Sequence, residues 1–258
     1  MGRVDSLNPF VIVGTQRTGS SALAEKISFH PQIACGWEWT ETVPVWRKVA
    51  TMTAALNGDF VGLPEAERKH IESSLDSSTQ WLGFRRLFGA SDKWLFHPQY
   101  SIKLWWDRFT AHRKWFAAHP HVRLIHIVRS NNIGWLKSKY LSRSSGSYVG
   151  AKYPEELRVT IPVGEALSRL RAKDYVDRCL ADLAKTNPYL PIVYEDFADD
   201  SDRELRRCFE FFECSVQAYQ ARQGQLNKQA SREDEEYIAN YEELSSALKS
   251  AGLLTAAI

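Results

Sequence analysis

Apolar residues are spaced along this chain in two ways: short unbroken runs, and longer stretches where they recur every third or fourth position. The clearest runs are Phe10-Val11-Ile12-Val13 and Val122-Arg123-Leu124-Ile125-His126-Ile127-Val128, each the length of a buried strand. Shorter runs at Ile33-Ala34-Cys35 and Pro191-Ile192-Val193-Tyr194, and a weaker one over 99–104, predict further strands. Helical spacing begins at Ser20, with Leu23, Ala24 and Ile27 turned toward a sheet, and His30-Pro31 closes that element. It returns over 41–56 and 64–75, divided by Asn57-Gly58-Asp59, and over 107–118. A helix over 132–141 runs into a Ser/Gly-rich loop at 142–150. A long amphipathic helix over 163–185 carries Leu167, Leu170, Val176, Leu180 and Leu183 on or near one face. Two more close the chain: 201–212, with Leu205, Phe209 and Phe212, and 231–250, with Tyr237, Tyr241, Leu244 and Leu248. Residues 76–98 fit neither spacing. There Trp81, Leu82, Phe84, Leu87, Phe88, Trp94 and Phe96 alternate with basic residues, which reads as a variable connection covering a site.

Strands alternating with helices predict an α/β three-layer sandwich, a central parallel sheet of about five strands with helices on both faces, in one domain over 1–258. Such sheets bind ligands beyond the carboxyl ends of their strands. The loop at Gly14, the strand end at Arg129 and the strand end at Tyr194 are therefore expected on one rim. Composition narrows the rest. The chain has 258 residues, 44% hydrophobic and 25% charged, which is ordinary for a folded protein and argues against disorder or a coiled coil. A formal net charge of +2 gives no footprint for nucleic acid, so any polyanion site is local, built from a few convergent basic residues. The four cysteines, Cys35, Cys179, Cys208 and Cys214, have no metal-ligand spacing and read as reduced thiols of a cytoplasmic protein. No membrane span and no signal-peptide core are evident. Nine tryptophans suit either core filling or an aromatic-lined acceptor pocket.

Candidate chemistry concentrates between strand and helix at Gly14-Thr15-Gln16-Arg17-Thr18-Gly19-Ser20-Ser21. The first N–H groups of a helix have no partner within it, and its dipole adds partial positive charge. Two glycines let the backbone approach a phosphate-like group, while Ser and Thr hydroxyls add donors. The spacing is that of a Walker A P-loop with one change: Ser20 stands where the lysine belongs, and the cation is Arg17, inside the loop. A second constellation is Arg129, ending a buried strand, with Ser138 nine residues later on the next helix. A guanidinium and a hydroxyl so placed can hold a phosphate between them. A third is Tyr194-Glu195-Asp196-Phe197, followed by a helix ending in Phe211-Phe212.

Together these segments resemble the PAPS-dependent sulfotransferases, bacterial type, with a P-loop NTPase-like fold and local similarity to the tyrosylprotein enzymes. The resemblance covers 8–38, 122–142, 190–214 and 227–248. It implies a donor, 3′-phosphoadenosine-5′-phosphosulfate (PAPS), a product nucleotide, PAP, and no metal. It assigns Gln16, Arg17, Thr18, Gly19, Ser20 and Ser21 to the 5′-phosphosulfate, Arg129 and Ser138 to the 3′-phosphate, and Tyr194 to a position against the nucleotide. Lys228, and with it Arg232, falls in the family's closing segment and is a candidate to close over the 3′-phosphate. The run His30-Pro31-Gln32-Ile33-Ala34-Cys35-Gly36-Trp37-Glu38 resembles the segment that supplies the family's glutamate base, which makes Glu38 the favoured catalytic base beside Arg17. Glu41 is the alternative. A histidine base has only scattered candidates, His97, His112 and His126, of which His126 lies within a strand and reads as a core residue. The implied reaction is in-line sulfuryl transfer to a hydroxyl or amine of a carbohydrate, lipid or small aromatic acceptor. Two other functions remain compatible with the loop: a P-loop nucleotide kinase or NTPase, and a non-catalytic PAP-binding module. The acceptor pocket is expected from residues 39–98 and 142–160, with Trp37, Trp39, Trp81 and Trp94 as candidate lining.

Overall fold

A computed structural model describes residues 8–38, 80–87, 113–146, 152–219 and 233–255, with positions 65 and 69. Its centre is a parallel sheet of five strands in the order β2-β3-β1-β4-β5. The strands are β1 (Asn8–Gly14), β2 (Ile33–Glu38), β3 (Trp81–Leu87), β4 (Arg123–Val128) and β5 (Tyr189–Val193). The helices are α1 (Ser20–Ile27), α2 (Asn132–Ser145), α3 (Val163–Ala181), α4 (Tyr194–Asp199), α5 (Ser201–Phe211), α6 (Asp234–Tyr237) and α7 (Tyr241–Ser250). The protein thus has the expected α/β architecture, a P-loop-like sandwich with β1 in the middle.

Burial on both faces explains why β1 and β4 are almost wholly apolar. Phe10 and Ile12 of β1, Ile125 and Ile127 of β4 and Ile192 of β5 face one side, where they pack with Leu23 and Ile27 of α1 and Leu205 and Phe209 of α5. On the opposite side α3 approaches β4, bringing Asp177 within 3.6 Å of His126. His126 is indeed a core residue, 1% exposed, with Nδ1 2.6 Å from the Tyr189 hydroxyl. A second core joins α2, α3 and α7 through residues such as Leu136, Leu170 and Leu248. Asn187 staples the approach to β4, its amide donating to the carbonyls of His119 at 2.9 Å and Val122 at 3.2 Å.

The structure corrects several boundaries. Residues 81–87, expected to be a connection, form the internal strand β3, in register with β1 from Asn8 opposite Trp81 to Gly14 opposite Leu87. Gly83 explains part of the obscurity. A Cβ there would lie 2.0 Å from the Phe10 ring, so the position must be glycine for the large residue of the neighbouring strand to fit. The expected helix over 231–250 is two helices, because Ile238 pairs with Val159 as an isolated bridge and the Asn240 amide bonds both N–H and C=O of Ile161. Helix α2 continues through Ser145 into what was expected to be loop, and Gly146, at φ +67°, ends it. Tyr194 does not end a strand but opens α4. The long helix stops at Ala181, and 182–185 tighten into a 3₁₀ turn. Of the expected helix over 107–118, residues 113–118 are helical. The helix over 41–56, the break at 57–59, most of the helix over 64–75 and the strand over 99–104 lie outside the described residues. All four cysteines are free thiols. No helix among the described residues is long and apolar enough to cross a membrane.

Candidate active site

The carboxyl ends of β1, β4 and β5 deliver their following residues to one rim. From β1 the chain turns through Thr15-Gln16-Arg17-Thr18 into α1. The turn is tight because Gly14 lies so near β4 that a Cβ would be 2.7 Å from the Ile127 carbonyl oxygen. Thr18 closes it, its hydroxyl donating to the Thr15 carbonyl at 2.8 Å. Gly19 enters the helix at φ +84°, and no side chain caps the helix start. The N–H groups of the first turn have no partner within the helix. The Thr15 hydroxyl is buried and has no hydrogen-bond partner among the described residues. Ser20 is buried and Ser21 half-buried at the same helix start.

Arg17 is the exceptional residue of the loop. It holds φ +67°, a left-handed conformation costing a side-chain-bearing residue about 1 kcal/mol. Contacts from distant parts of the chain hold it there. Its Nε donates to Ser138 Oγ of α2 at 3.0 Å, across 121 residues of sequence. Its Nη2 donates to the Tyr153 hydroxyl at 3.3 Å. Its carbonyl oxygen accepts from Arg129 Nη1 at 3.2 Å. One residue back, the Gln16 carbonyl accepts from Trp135 Nε1 at 2.7 Å.

Arg129 leaves the end of β4 between two groups from the first turn of α4. Its guanidinium carbon lies 4.6 Å from the Tyr194 ring centre. Its Nε lies 3.8 Å from Glu195 Oε1. The Cδ2–Cε2 edge of the Tyr194 ring presses on Gly19, where a Cβ would fall 2.4 Å from Cδ2. Burial draws the Arg129 guanidinium below its ordinary pKa, opposed by Tyr194, Glu195 and Asp234. For Glu195, burial pushes the carboxyl up. The Ser130 N–H and hydroxyl at 2.9 and 2.8 Å and the Asn131 N–H at 3.0 Å outweigh that, so its pKa lies below the ordinary carboxylate range. Glu195 thus fixes the turn that follows Arg129. Asn131 then caps α2, accepting from the Gly134 N–H at 2.7 Å.

The structure therefore brings together Gln16, Arg17, Thr18, Gly19, Ser20, Ser21, Arg129, Ser138 and Tyr194. Glu38 ends β2, its backbone opposite Arg85 of β3 beyond a register shift. Glu41, Lys228 and Arg232 lie outside the described residues, as does Trp39. Sequence reading missed four participants: Thr15, Trp135, Glu195 as the brace of Arg129, and Tyr153. Trp135 and Glu195 adjoin recognised motifs, where a large or charged side chain beside a strand-end arginine was a usable signal. Tyr153 follows a Ser/Gly-rich stretch, and nothing in its neighbours marks it.

A five-stranded parallel sheet with a glycine-bounded loop before the first helix, and two half-buried arginines at its rim, defines a P-loop-like α/β protein. The model of the sulfotransferase family matches residues 9–218, and the chain belongs to that family. It is accordingly a transferase enzyme that moves a sulfuryl group. No curated protein matches it. Among solved structures it is similar to a sulfotransferase from Alicyclobacillus acidocaldarius at 16% identity and TM-score 0.43, covering 97% of this chain and 96% of that one. It is also similar to the sulfotransferase domain of the Synechococcus PCC 7002 olefin synthase at 17% and 0.42, covering 84% and 79%. The sulfotransferase STF9 from Mycobacterium avium follows at 16% and 0.42, covering 95% and 76%.

Proposed function

We propose that the protein transfers the sulfuryl group of PAPS to a hydroxyl or amine of a carbohydrate, lipid or small aromatic acceptor. The observation that carries this reading is the meeting of two distant motifs: Arg17 on Ser138, and Arg129 on the Arg17 carbonyl. One stretch offers an anion cradle and the other a buried guanidinium with a hydroxyl, a donor set suited to a nucleotide charged at both its 5′ and 3′ positions. The uncapped start of α1 and the unpartnered Thr15 hydroxyl add donors of the kind a phosphate oxygen accepts.

When bound, PAPS supplies an electrophilic sulfur and a phosphate leaving group. The chain's task is electrostatic. Arg17, the N–H groups at the start of α1, Ser20 and Ser21 neutralise charge developing on the leaving oxygen. Arg129, Ser138 and Lys228 hold the 3′-phosphate, and Tyr194 packs against the nucleotide. A carboxylate, Glu38 in this reading with Glu41 as alternative, accepts the proton of the acceptor group. Glu38 is supported by its position at the carboxyl end of β2, among strand ends of a parallel sheet.

Thermal unfolding with PAP and with AMP tests the donor assignment. At one hundred times Kd a ligand stabilises by about 2.7 kcal/mol, which raises Tm by about 5–10 °C for a chain of this size. PAP should reach that shift at concentrations where AMP gives almost none. Equal shifts, or none, would remove the 3′-phosphate pocket and with it the reading. Glu38→Gln should abolish transfer and leave PAP binding intact, which also separates an enzyme from a PAP-binding module.

A further inference from the structure

Resting on the donor site just proposed, we infer that Tyr153 is a positioning residue for Arg17, completing with Ser138 a clamp that sets the guanidinium before any ligand arrives. Tyr153 comes from the connection between α2 and α3 and is 6% exposed. Its hydroxyl accepts from Arg17 Nη2, while Ser138 accepts from Nε, so the two groups engage adjacent donors along one edge of the guanidinium. A planar cation held at two donors has lost the rotational freedom that a single contact would leave, and its Nη1 edge is not used by the clamp.

The phenol is itself held. Its ring meets the fully buried Tyr237 edge-on, with centroids 6.4 Å apart at 78°. Tyr237 in turn lies under Lys137, whose Nζ is 5.3 Å from the ring centre and is ion-paired with Asp234. A column thus runs from α6 through Tyr237 and Tyr153 to the loop after β1. Burial raises the pKa of the Tyr153 phenol, opposed chiefly by Arg17 and its hydrogen bond, so the group stays a neutral hydroxyl across the working pH range. As a neutral acceptor it fixes the arginine without cancelling its charge. That matters for a cation meant to face an anion.

The arrangement also offsets a local cost. Arg17 is left-handed, and without contacts at its side chain the loop has easier conformations to relax into. Tyr153 therefore acts on ligand affinity through Arg17 alone. It contributes no direct donor to the nucleotide.

The test is a double-mutant cycle read by PAP calorimetry on the full chain, with Tyr153→Phe, Arg17→Lys and the pair. Phenylalanine keeps the ring against Tyr237 and removes one oxygen. Tyr153→Phe should raise the Kd for PAP about fivefold, the scale of one net intramolecular hydrogen bond, with ligand-free Tm almost unchanged. Lysine keeps a charge but cannot engage both hydroxyls, so adding Tyr153→Phe to Arg17→Lys should change Kd by less than about twofold. Effects that multiply in the double variant, or a Tyr153→Phe protein that binds PAP as tightly as the parent, would overturn the inference. If the parent does not bind PAP, the donor reading fails first, a result distinct from either.

Discussion

Gly19→Ala is the sharpest probe of the rim, because its cost separates into two parts. The first is conformational: at φ +84° an alanine adds about 1 kcal/mol of left-handed strain. The second is steric. The new Cβ would lie 2.4 and 2.6 Å from Tyr194 Cδ2 and Cε2, where ordinary contacts begin at 3.4 Å, so the ring must retreat by about 1 Å. A shift of that size disturbs the stacking of Tyr194 on the Arg129 guanidinium, 4.6 Å away, a shielded cation–π contact worth about 1–2 kcal/mol. The sum is about 2–3 kcal/mol, or a fall in Tm of about 4–12 °C. Gly146→Ala is the matched control, since Gly146 has φ +67° and a Cβ added there would meet nothing within 4 Å. It should show the conformational part alone, about 2–4 °C. Scanning calorimetry gives both numbers, and PAP titration should show at least a tenfold loss for Gly19→Ala and none for Gly146→Ala. In a Tyr194→Ala background the added cost of Gly19→Ala should shrink to that of the control. Were Gly19→Ala no worse than Gly146→Ala in the parent, the contact between loop and ring would not be what shapes the site.

Ser138→Ala removes the acceptor of the Arg17 Nε bond and should weaken PAP binding about tenfold with little change in ligand-free Tm, read by calorimetry. Glu195 has a folded pKa below its unfolded value, so the stability it contributes is present in full above the ordinary carboxylate range and is lost as pH falls through the folded pKa. Glu195→Gln should therefore lower Tm at neutral pH and flatten its decline in acid; an unchanged acid limb would refute the brace on Ser130 and Asn131. Trp135→Phe deletes the donor to the Gln16 carbonyl and should raise amide exchange in the 15–19 loop, measurable by hydrogen exchange mass spectrometry.

What could be read from sequence follows from how local each determinant is. The β1 loop and the β4 end were legible because each packs its whole message into a dozen residues: an apolar run, then glycine or arginine, then a helix start. Ser138 was found by an interval along one helix. β3 was not, since Trp81-Leu82-Gly83-Phe84-Arg85-Arg86-Leu87 has two arginines inside an internal strand, and its glycine makes sense only beside Phe10. The break between α6 and α7 was hidden for a similar reason, being set by Asn240 bonding Ile161 rather than by a breaker in the helix itself. Tyr153 belongs to that class too. Its role depends on Arg17 and Tyr237, and no window of the sequence contains all three.

The strand order has a consequence for biosynthesis. β1 emerges first from the ribosome yet occupies the middle of the sheet, with β3 on one side and β4 on the other. Neither neighbour exists when it appears, and its second edge stays open until residue 128 has been made. At about 5–20 residues per second that delay lasts on the order of ten seconds, during which an apolar ribbon offers unsatisfied backbone to any passing strand. Truncations ending before β4 should accumulate in inclusion bodies, and heterologous production should improve when growth is slowed or a trigger-type chaperone is supplied to shield the nascent β1.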